Sequence, residues 1–290
     1  MFFIKNRWKK NRFNNLYKKI EFMAIYDCFQ YFNEEHIADL RFNILNKFVD
    51  YFVIVESTVN HQGQPKKLQF DINNYKKFKK KIKYIAVDDT PENIKKPHFG
   101  GESLVEQHQR NSLMRVLKKA EDDDIIILSD VDEIPDLNKL NLFNKKNLAV
   151  FSQKMFMYKL NLLNLDESGW HGSKICLKKN FKSPQWLRDF KFKKYPFWRL
   201  DKPQNIQIIE DGGWHFAYLQ NPENISKKIK SFAHGEFNKD HLVNTENIAE
   251  KIKKGEDVFD RGFKIKKIEI DDTFPEFIRE NKEALKNWIA

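Results

Sequence analysis

Apolar and polar positions fall into blocks along this chain, and the period of each block names its element. The clearest is Ile125-Ile-Ile-Leu128, followed at once by Ser129, Asp130, Asp132 and Glu133. An unbroken aliphatic run, mostly β-branched, predicts a strand buried on both faces, as in parallel sheets covered by helices. The same reading predicts strands at residues 24–29, 51–55 and 81–87. The second ends in Glu56 and the third in Asp88 and Asp89. Between them, Asn33 can cap a helix over residues 34–47, whose stripe is Ile37, Leu40, Ile44, Leu45 and Phe48. A long helix is expected over residues 102–120, with Leu113, Met114, Val116 and Leu117 on its apolar side. Lys118 and Lys119 in its last turn suit the helix dipole. Residues 61–65 and 97–101 read as loops. Strands alternating with helices predict a doubly wound α/β sheet, mostly parallel and Rossmann-like.

After Pro135 the pattern changes. Residues 149–160 form a long β-prone run, and residues 174–178 and 205–209 read as shorter strands. Between these lies an aromatic, basic region with Trp170, Trp186, Phe190, Phe192, Phe197 and Trp198. Gly212-Gly-Trp-His-Phe216 follows as strand or loop. Asn221-Pro222 starts a helix with Pro at its first position, carrying Ile225, Ile229 and Phe232. Thr245 or Asn244 caps another helix, stopped by Gly255. Thr273-Phe-Pro-Glu276 has the spacing of a capping box for a final helix presenting Ile278, Leu285 and Trp288. No repeat or Gly/Ser linker divides these parts. Residues 23–290 therefore read as one domain with a C-terminal helical part.

Residues 1–22 differ from the rest. Lys5, Arg7, Lys9, Lys10, Arg12, Lys18 and Lys19 precede the first acid, Glu21, while Phe13, Leu16, Tyr17 and Ile20 make a helical stripe. Such a segment can lie on an anionic membrane surface. A frayed tail, or an upstream start preceding a true start at Met23, accounts for it equally. In the whole chain of 290 residues, 52 Lys and Arg against 41 acids leave a net charge of +11. That balance favours anionic partners, although an AT-rich genome also enriches Lys and Asn. Cys28 and Cys176 are too few for a disulfide scaffold and fit a reducing compartment. No run of 18 apolar residues and no secretory h-region is visible, so the expected location is cytoplasmic, peripheral to a membrane at most.

The acids after Leu128 carry the candidate chemistry. In open α/β sheets, ligands bind at the carboxyl ends of the strands. Two carboxylates at i and i+2 can share one hard divalent cation; a solvated acidic turn is the alternative. His215 is a candidate further metal ligand or a core histidine beside Trp214. Arg110, on the helix before the acidic strand, can bind phosphate bidentately or pair with Glu106 one turn earlier. The tryptophans can stack on sugar faces or fill the core.

Several blocks resemble glycosyltransferase family 17. They are Asp27-Cys-Phe29, Asn33-Glu34 with Leu40-Arg41, Val55-Glu-Ser57, Glu106 with Gln109-Arg-Asn111, and Leu128-Ser-Asp-Val-Asp-Glu-Ile-Pro135. Gly213-Trp-His-Phe216 and Ser231-Phe-Ala-His234 continue the set. The resemblance covers roughly residues 23–238. It implies a GT-A fold, a nucleoside-diphosphate-sugar donor, most simply UDP-GlcNAc, a glycan acceptor, a divalent metal (manganese or magnesium) and inversion at the anomeric carbon. The family's animal members carry a Golgi membrane anchor, which has no counterpart among these residues.

On this reading Asp132 holds the metal with His215, while Asp130, Arg110, Glu56 and Asp27 line the donor side. Asp130 is suited to the nucleotide ribose or to supporting the metal site. An inverting transfer needs one general base; Asp211 and Glu236 are the two candidates. Three other classes compete with this reading. A phosphatase using the Asp-Val-Asp motif would be expected to carry it near the chain's start, followed by a small residue and Thr. A nucleic-acid-binding protein would need a basic helix or RNA-binding signature, and none is present. A non-catalytic glycan- or nucleotide-binding protein stays open.

Overall fold

A computed structural model describes residues 23–95, 103–167, 169–192, 198–199, 206–231 and 240–290. Strand β1 (Ile25–Gln30) leads into helix α1 (Glu35–Leu45), then β2 (Tyr51–Ser57) and β3 (Ile82–Val87). Helices α2 (Leu104–Asn111) and α3 (Met114–Leu117) precede β4 (Ile125–Leu128). Next come β5 (Glu133–Pro135), β6 (Leu148–Met157), β7 (Leu162–Asn164), β8 (Trp170–Leu177) and α4 (Pro184–Asp189). The rest comprises β9 (Ile206–Ile209), β10 (Gly213–Ala217), α5 (Pro222–Ser231), α6 (Asp240–Val243), α7 (Thr245–Lys254), β11 (Ile265–Lys267) and α8 (Glu276–Glu280).

The strands form one mixed sheet in the order β11-β7-β6-β8-β4-β1-β2-β3. Helices flank it, giving a Rossmann-like α/β domain. Parallel pairing joins β3, β2, β1 and β4, whereas β8 runs antiparallel to β4 and β6 antiparallel to β8. The expected parallel sheet is thus the first half of the fold, and the second half extends it through antiparallel β8 and β6, with β9 and β10 pairing parallel to β6. The chain steps outward from β1 to β2 and β3, then returns to the other side of β1 as β4. That reversal makes a topological switch point between β1 and β4.

The aliphatic runs are unbroken because both faces of the sheet are covered. Phe29, Phe52, Ile54 and Ile127 pack on one face with Ile37, Leu40, Phe42 and Leu45 of α1. Their neighbours Cys28, Val53, Val55, Ile126 and Leu128 pack on the other, with Leu113, Leu117 and Leu187. A third cluster joins Met155, Met157 and Tyr158 to Ile225, Ile229, Ile248 and Val258 of the C-terminal part.

Four local expectations differ. The long helix breaks after Asn111, where Ser112 Oγ donates to the His108 carbonyl (3.0 Å) and the backbone tightens into a turn. Such back-bonding bends helices. The side chain of Asn33 does not cap α1; Glu34 instead accepts from the backbone N–H groups of Phe32 and Asn33, both at 3.0 Å. The capping box at Thr273 does not form: its hydroxyl donates to Asp271 (2.7 Å), and α8 begins only after Pro275. Helix α8 is five residues long, and Trp288 lies on a separate short 3₁₀ turn. Asn244 does cap α7, accepting from Asn247 N–H (2.9 Å), and Gly255 ends it at φ +69°, where a Cβ would be strained. Expectations for residues 1–22, the 97–101 loop, Phe197, residues 232–234 and Glu236 lie outside the described residues. Among the described residues no helix is long and apolar enough to cross a membrane.

Candidate active site

The carboxyl ends of β1 and β4 open into a cavity of about 320 Å³. Its floor carries Asp130 and Asp132, its far wall His215 and Trp170, and α5 lends Lys228 from the side. This is the crevice that the switch point predicts.

A buried pair fixes the floor from behind. Arg41 Nε donates to Asp27 Oδ2 (2.7 Å) and Nη2 to Oδ1 (2.5 Å), with both side chains fully buried. Arg41 Nη1 donates to the Glu133 carbonyl (2.6 Å) and reaches those of Asp130 and Val131 at 3.3 Å. Three carbonyls of the acidic loop therefore converge on one guanidinium, which orients Asp130 and Asp132 toward the cavity side.

Strand β10 fixes the opposite wall. It pairs antiparallel with β5, setting His215 across from Glu133, and parallel with β6. Phe216 N–H donates to the Asp132 carbonyl (2.9 Å). The glycines before it allow this close threading. Gly213 has φ +139°, and a Cβ there would meet the Ile134 carbonyl oxygen at 2.2 Å. Asp132 Oδ1 and His215 Nε2 end up 3.6 Å apart.

The remaining contacts set the charges. Lys228 Nζ lies 3.3 Å from Glu34 Oε1 and 3.8 Å from Asp132 Oδ2. Burial alone would raise the Asp132 carboxyl, but Lys228 and His215 outweigh it and hold it well below the usual carboxylate range. Burial opposes a charged His215, yet Asp132 prevails and raises its imidazole. Burial likewise opposes a charged Lys228; Glu34 and then Asp132 overcome it and keep the ammonium protonated. Asp130 is held low despite burial, first by Arg188 of α4, whose Nη2 donates to Oδ2 at 3.1 Å, and then by Arg110. Glu133 goes the other way. Its burial and the Asp130 charge push it up, while it accepts from Asp130 N–H (2.9 Å) and Trp170 Nε1 (2.7 Å). The Trp170 ring lies against His215 with centroids 4.9 Å apart and the planes tilted by 35°. His215 Nδ1 is buried without a hydrogen-bond partner among the described residues.

Among the described residues no three His, Cys, Asp or Glu side chains converge as a metal cage. Asp132 and His215 do fit a shared ion. Their 3.6 Å separation is less than two metal–donor bonds of about 2.1 Å. One carboxylate with few other protein ligands suits a hard cation that also binds phosphate and water.

The other expected residues are dispersed. Asp27 is spent on Arg41 and lies behind the cavity. Glu56 is fully buried and accepts from Lys66 Nζ (2.6 Å), the N–H groups of Gln69 (2.8 Å) and Phe70 (3.0 Å), and Tyr84 OH (3.0 Å). It thereby anchors the strand-end loop and holds Lys66 at the cavity wall. Arg110 is buried with Gln185 (2.5 Å) and Glu106, so the pairing within α2 is observed. Asp211 is exposed and lines a different cleft, with Lys47, Lys154 and Arg279; Glu236 lies outside the described residues. Trp214 is core, donating to the Thr273 carbonyl (3.0 Å), and Trp198 is exposed. Only Trp170 of the named tryptophans reaches the cavity.

Lys228, Glu34, Lys66 and Arg188 were not foreseen as site residues. The available signal for Lys228 was its place three residues after Ile225 and one before Ile229, on the margin of an apolar stripe. Nothing in the sequence alone marks Arg188.

The sequence is similar to known proteins over most of its length. A model of glycosyltransferase family 17 matches residues 8–263. Proteins from Rattus norvegicus and Homo sapiens, each a β-1,4-mannosyl-glycoprotein 4-β-N-acetylglucosaminyltransferase, are 22% identical to this chain over 231 residues. The match takes in 71% of this chain and 42% of each relative, so the chain spans less than half the length of those proteins. With the family match extending across both walls of the cavity, the chain belongs to glycosyltransferase family 17, a family of sugar-transferring enzymes.

Proposed function

We propose that this chain transfers a sugar from a nucleoside-diphosphate donor, UDP-GlcNAc, to a hydroxyl of a glycan acceptor with inversion, in a GT-A-type site. The observation that carries the reading is the junction of Asp132, His215 and Lys228 at the switch-point cavity of a family 17 chain. GlcNAc is the sugar named in the activity of the similar mammalian proteins.

The donor's diphosphate would lie over Asp132, with its nucleoside toward Gln30, Phe32 and Lys66 and its sugar toward Trp170 and Tyr218. Asp132 and His215 would hold manganese or magnesium. When bound, such an ion supplies positive charge to the departing diphosphate oxygens. Asp130 stays an ionised acceptor for a ribose hydroxyl, oriented by Arg188. Arg41 keeps the acidic loop from relaxing as charge builds, so the site's dipoles are in place before reaction. The acceptor oxygen bonds to the anomeric carbon as the bond to the phosphate oxygen breaks. The electron pair leaves on the diphosphate, and the acceptor proton goes to the base. We assign the base to Glu236 in preference to Asp211, which stands in another cleft. Residues 23–290 would form the catalytic domain. Residues 1–22 would contact an anionic membrane from the cytoplasmic side, and two buried free thiols suit a reducing compartment.

The test is product analysis. Incubation with UDP-GlcNAc, manganese and mannose-containing glycans should give a β-linked product by NMR. An α-linked product overturns inversion, and no transfer from any of a panel of UDP-sugars overturns the reading.

A further inference from the structure

We infer that the amino-end rim of the sheet, opposite the cavity, docks on an anionic lipid bilayer together with residues 1–22 and turns the cavity away from it. The inference rests on the proposed membrane contact of residues 1–22 and deepens it.

Strand polarity sorts the lysines. Strands β1, β2, β3, β4 and β6 all point the same way, so their amino ends share one rim and the cavity opens at the other. Lys79 and Lys80 stand just before β3, Lys118 and Lys119 before β4, and Lys145 and Lys146 before β6, all exposed. At about 4.8 Å per strand the rim from β3 to β6 spans about 24 Å.

Both flanks of this rim lack acids. Residues 72–87 hold six lysines and no carboxylate, and residues 137–165 hold no carboxylate either. Some of these lysines have work inside the fold. Lys77 Nζ donates to Asn43 Oδ1 (3.1 Å), and Lys81 Nζ donates to the carbonyls of Asn46 and Val49 (both 2.7 Å). Lys83 sits over Tyr51 on the edge strand, where a charge guards against strand pairing. Lys76, Lys79 and Lys80 are exposed and meet no carboxylate among the described residues. The middle of the rim is balanced instead. Asp123 pairs with Lys179 (2.7 Å), Asp50 accepts from Ile25 N–H (2.8 Å), and Glu121 and Asp122 follow Lys118 and Lys119 in the chain.

The chain's own course identifies the occupant. Ala24 N–H donates to Asp124 Oδ1 (2.8 Å), so residues 1–22 join the domain at the centre of this rim. Their seven bases are accompanied by the stripe Phe13, Leu16, Tyr17 and Ile20. A bilayer takes up such a stripe at its acyl boundary, whereas a nucleic-acid duplex gives it no place. Leu142, 55% exposed, adds an apolar side chain shortly before Lys145 and Lys146. Bases act on an anionic bilayer within a Debye length of its surface. A rim of them, unlike a tether alone, fixes which end of the domain faces the lipid.

The experiment is co-sedimentation of the full chain with phosphatidylcholine vesicles, with and without phosphatidylserine. It compares the wild type with a rim variant, Lys76→Gln/Lys79→Gln/Lys80→Gln, and a control variant, Lys253→Gln/Lys266→Gln/Lys267→Gln. The control loses the same charge from exposed lysines of α7 and β11, and β11 is joined through β7 to the carboxyl end of β6. Near-UV circular dichroism confirms the fold of each. The rim variant should partition onto the anionic vesicles about 10- to 100-fold more weakly than the wild type, and the control should bind as the wild type does. An equal fall in both variants overturns the inference, since it marks attraction without orientation. Tighter binding of random-sequence duplex DNA than of anionic vesicles, lost in the rim variant, reassigns the face to nucleic acid and overturns it too. If the rim variant binds like the wild type while deletion of residues 1–22 lowers binding, the membrane contact of that segment stands and the inference alone fails. If the wild type binds neither vesicle, both fail.

Discussion

Arg41 and Asp27 form a two-point ion pair, 2.7 and 2.5 Å, sealed inside the sheet–helix interface beneath the acidic loop. The pair joins β1 to α1, and the third arm of the same guanidinium gathers the carbonyls of residues 130, 131 and 133. Removing one partner leaves a buried charge uncompensated, at about 3–5 kcal/mol. Arg41→Met should therefore lower the urea midpoint steeply. Asp27→Asn should do the same, and the double variant should cost less than the sum of the two. Additive losses in that cycle would show that the two residues act independently.

The metal reading makes a thermodynamic statement about Asp132. Manganese should tighten UDP binding to the wild type and have no effect on Asp132→Ala. In EDTA the two proteins should bind UDP within a few-fold of each other. A manganese enhancement that survives in the variant would place the ion elsewhere.

The two candidate bases separate cleanly. Glu236→Gln should reduce turnover about 10²- to 10⁴-fold with donor binding kept. Asp211→Asn should stay within a few-fold of wild type, because Asp211 lines a different cleft. The reverse result would move the reaction to that cleft.

Lys174 supplies a pH signature of stability. Burial first, then Arg188, lowers its ammonium from 10.5 to about 8, while Nζ donates to the Arg188 carbonyl. Between about 8 and 10.5 the unfolded chain holds a proton there that the folded chain has released. Stability from this residue therefore rises with pH across that window, by at most about 3 kcal/mol. Below it both states are protonated, and the folded state bears the full cost. Urea midpoints at pH 7.5 and 9.5 should diverge more in the wild type than in Lys174→Met. Equal divergence would mean that Lys174 titrates normally.

The amino-terminal segment is tested by deletion. Removing residues 1–22 should preserve donor binding and weaken sedimentation with anionic vesicles, since each base near such a surface contributes about 1 kcal/mol. The family match begins at residue 8, so loss of the fold on deletion would show that part of the segment belongs to the domain.

The parallel half of the sheet was legible because its strands are buried on both faces and leave unbroken apolar runs. Ile125 to Leu128 announces itself, and the acids beyond it follow from strand polarity. The break after Asn111 was hidden, since Leu113, Val116 and Leu117 keep a helical stripe through it. β5 is three residues long and exists through its pairing with β10, a contact no local window contains. The same holds for the site. Asp132 and His215 are nameable as residue types, whereas the duties of Asp27 and Glu56 depend on partners supplied by the fold. A carboxylate at a strand end reads identically whether it meets a ligand or an arginine. Lys228 was missed because a lysine on a helix is normally a solvated one.

The placement of β10 between β5 and β6 has a temporal consequence. Its pairing to β5 joins Gly213 to Pro135 and His215 to Glu133, a long loop to close, and non-local pairings of this kind form late. While the chain is being synthesised, everything through β8 can emerge with the acidic loop still lacking its histidine wall. The histidine wall thus forms late, when residues 213–217 dock, and Lys228 of α5 follows it in the chain. A nascent chain halted before that point lacks the wall of the cavity that carries His215. Ribosome-bound chains of increasing length should accordingly show no UDP retention until β10 and α5 have both cleared the exit tunnel.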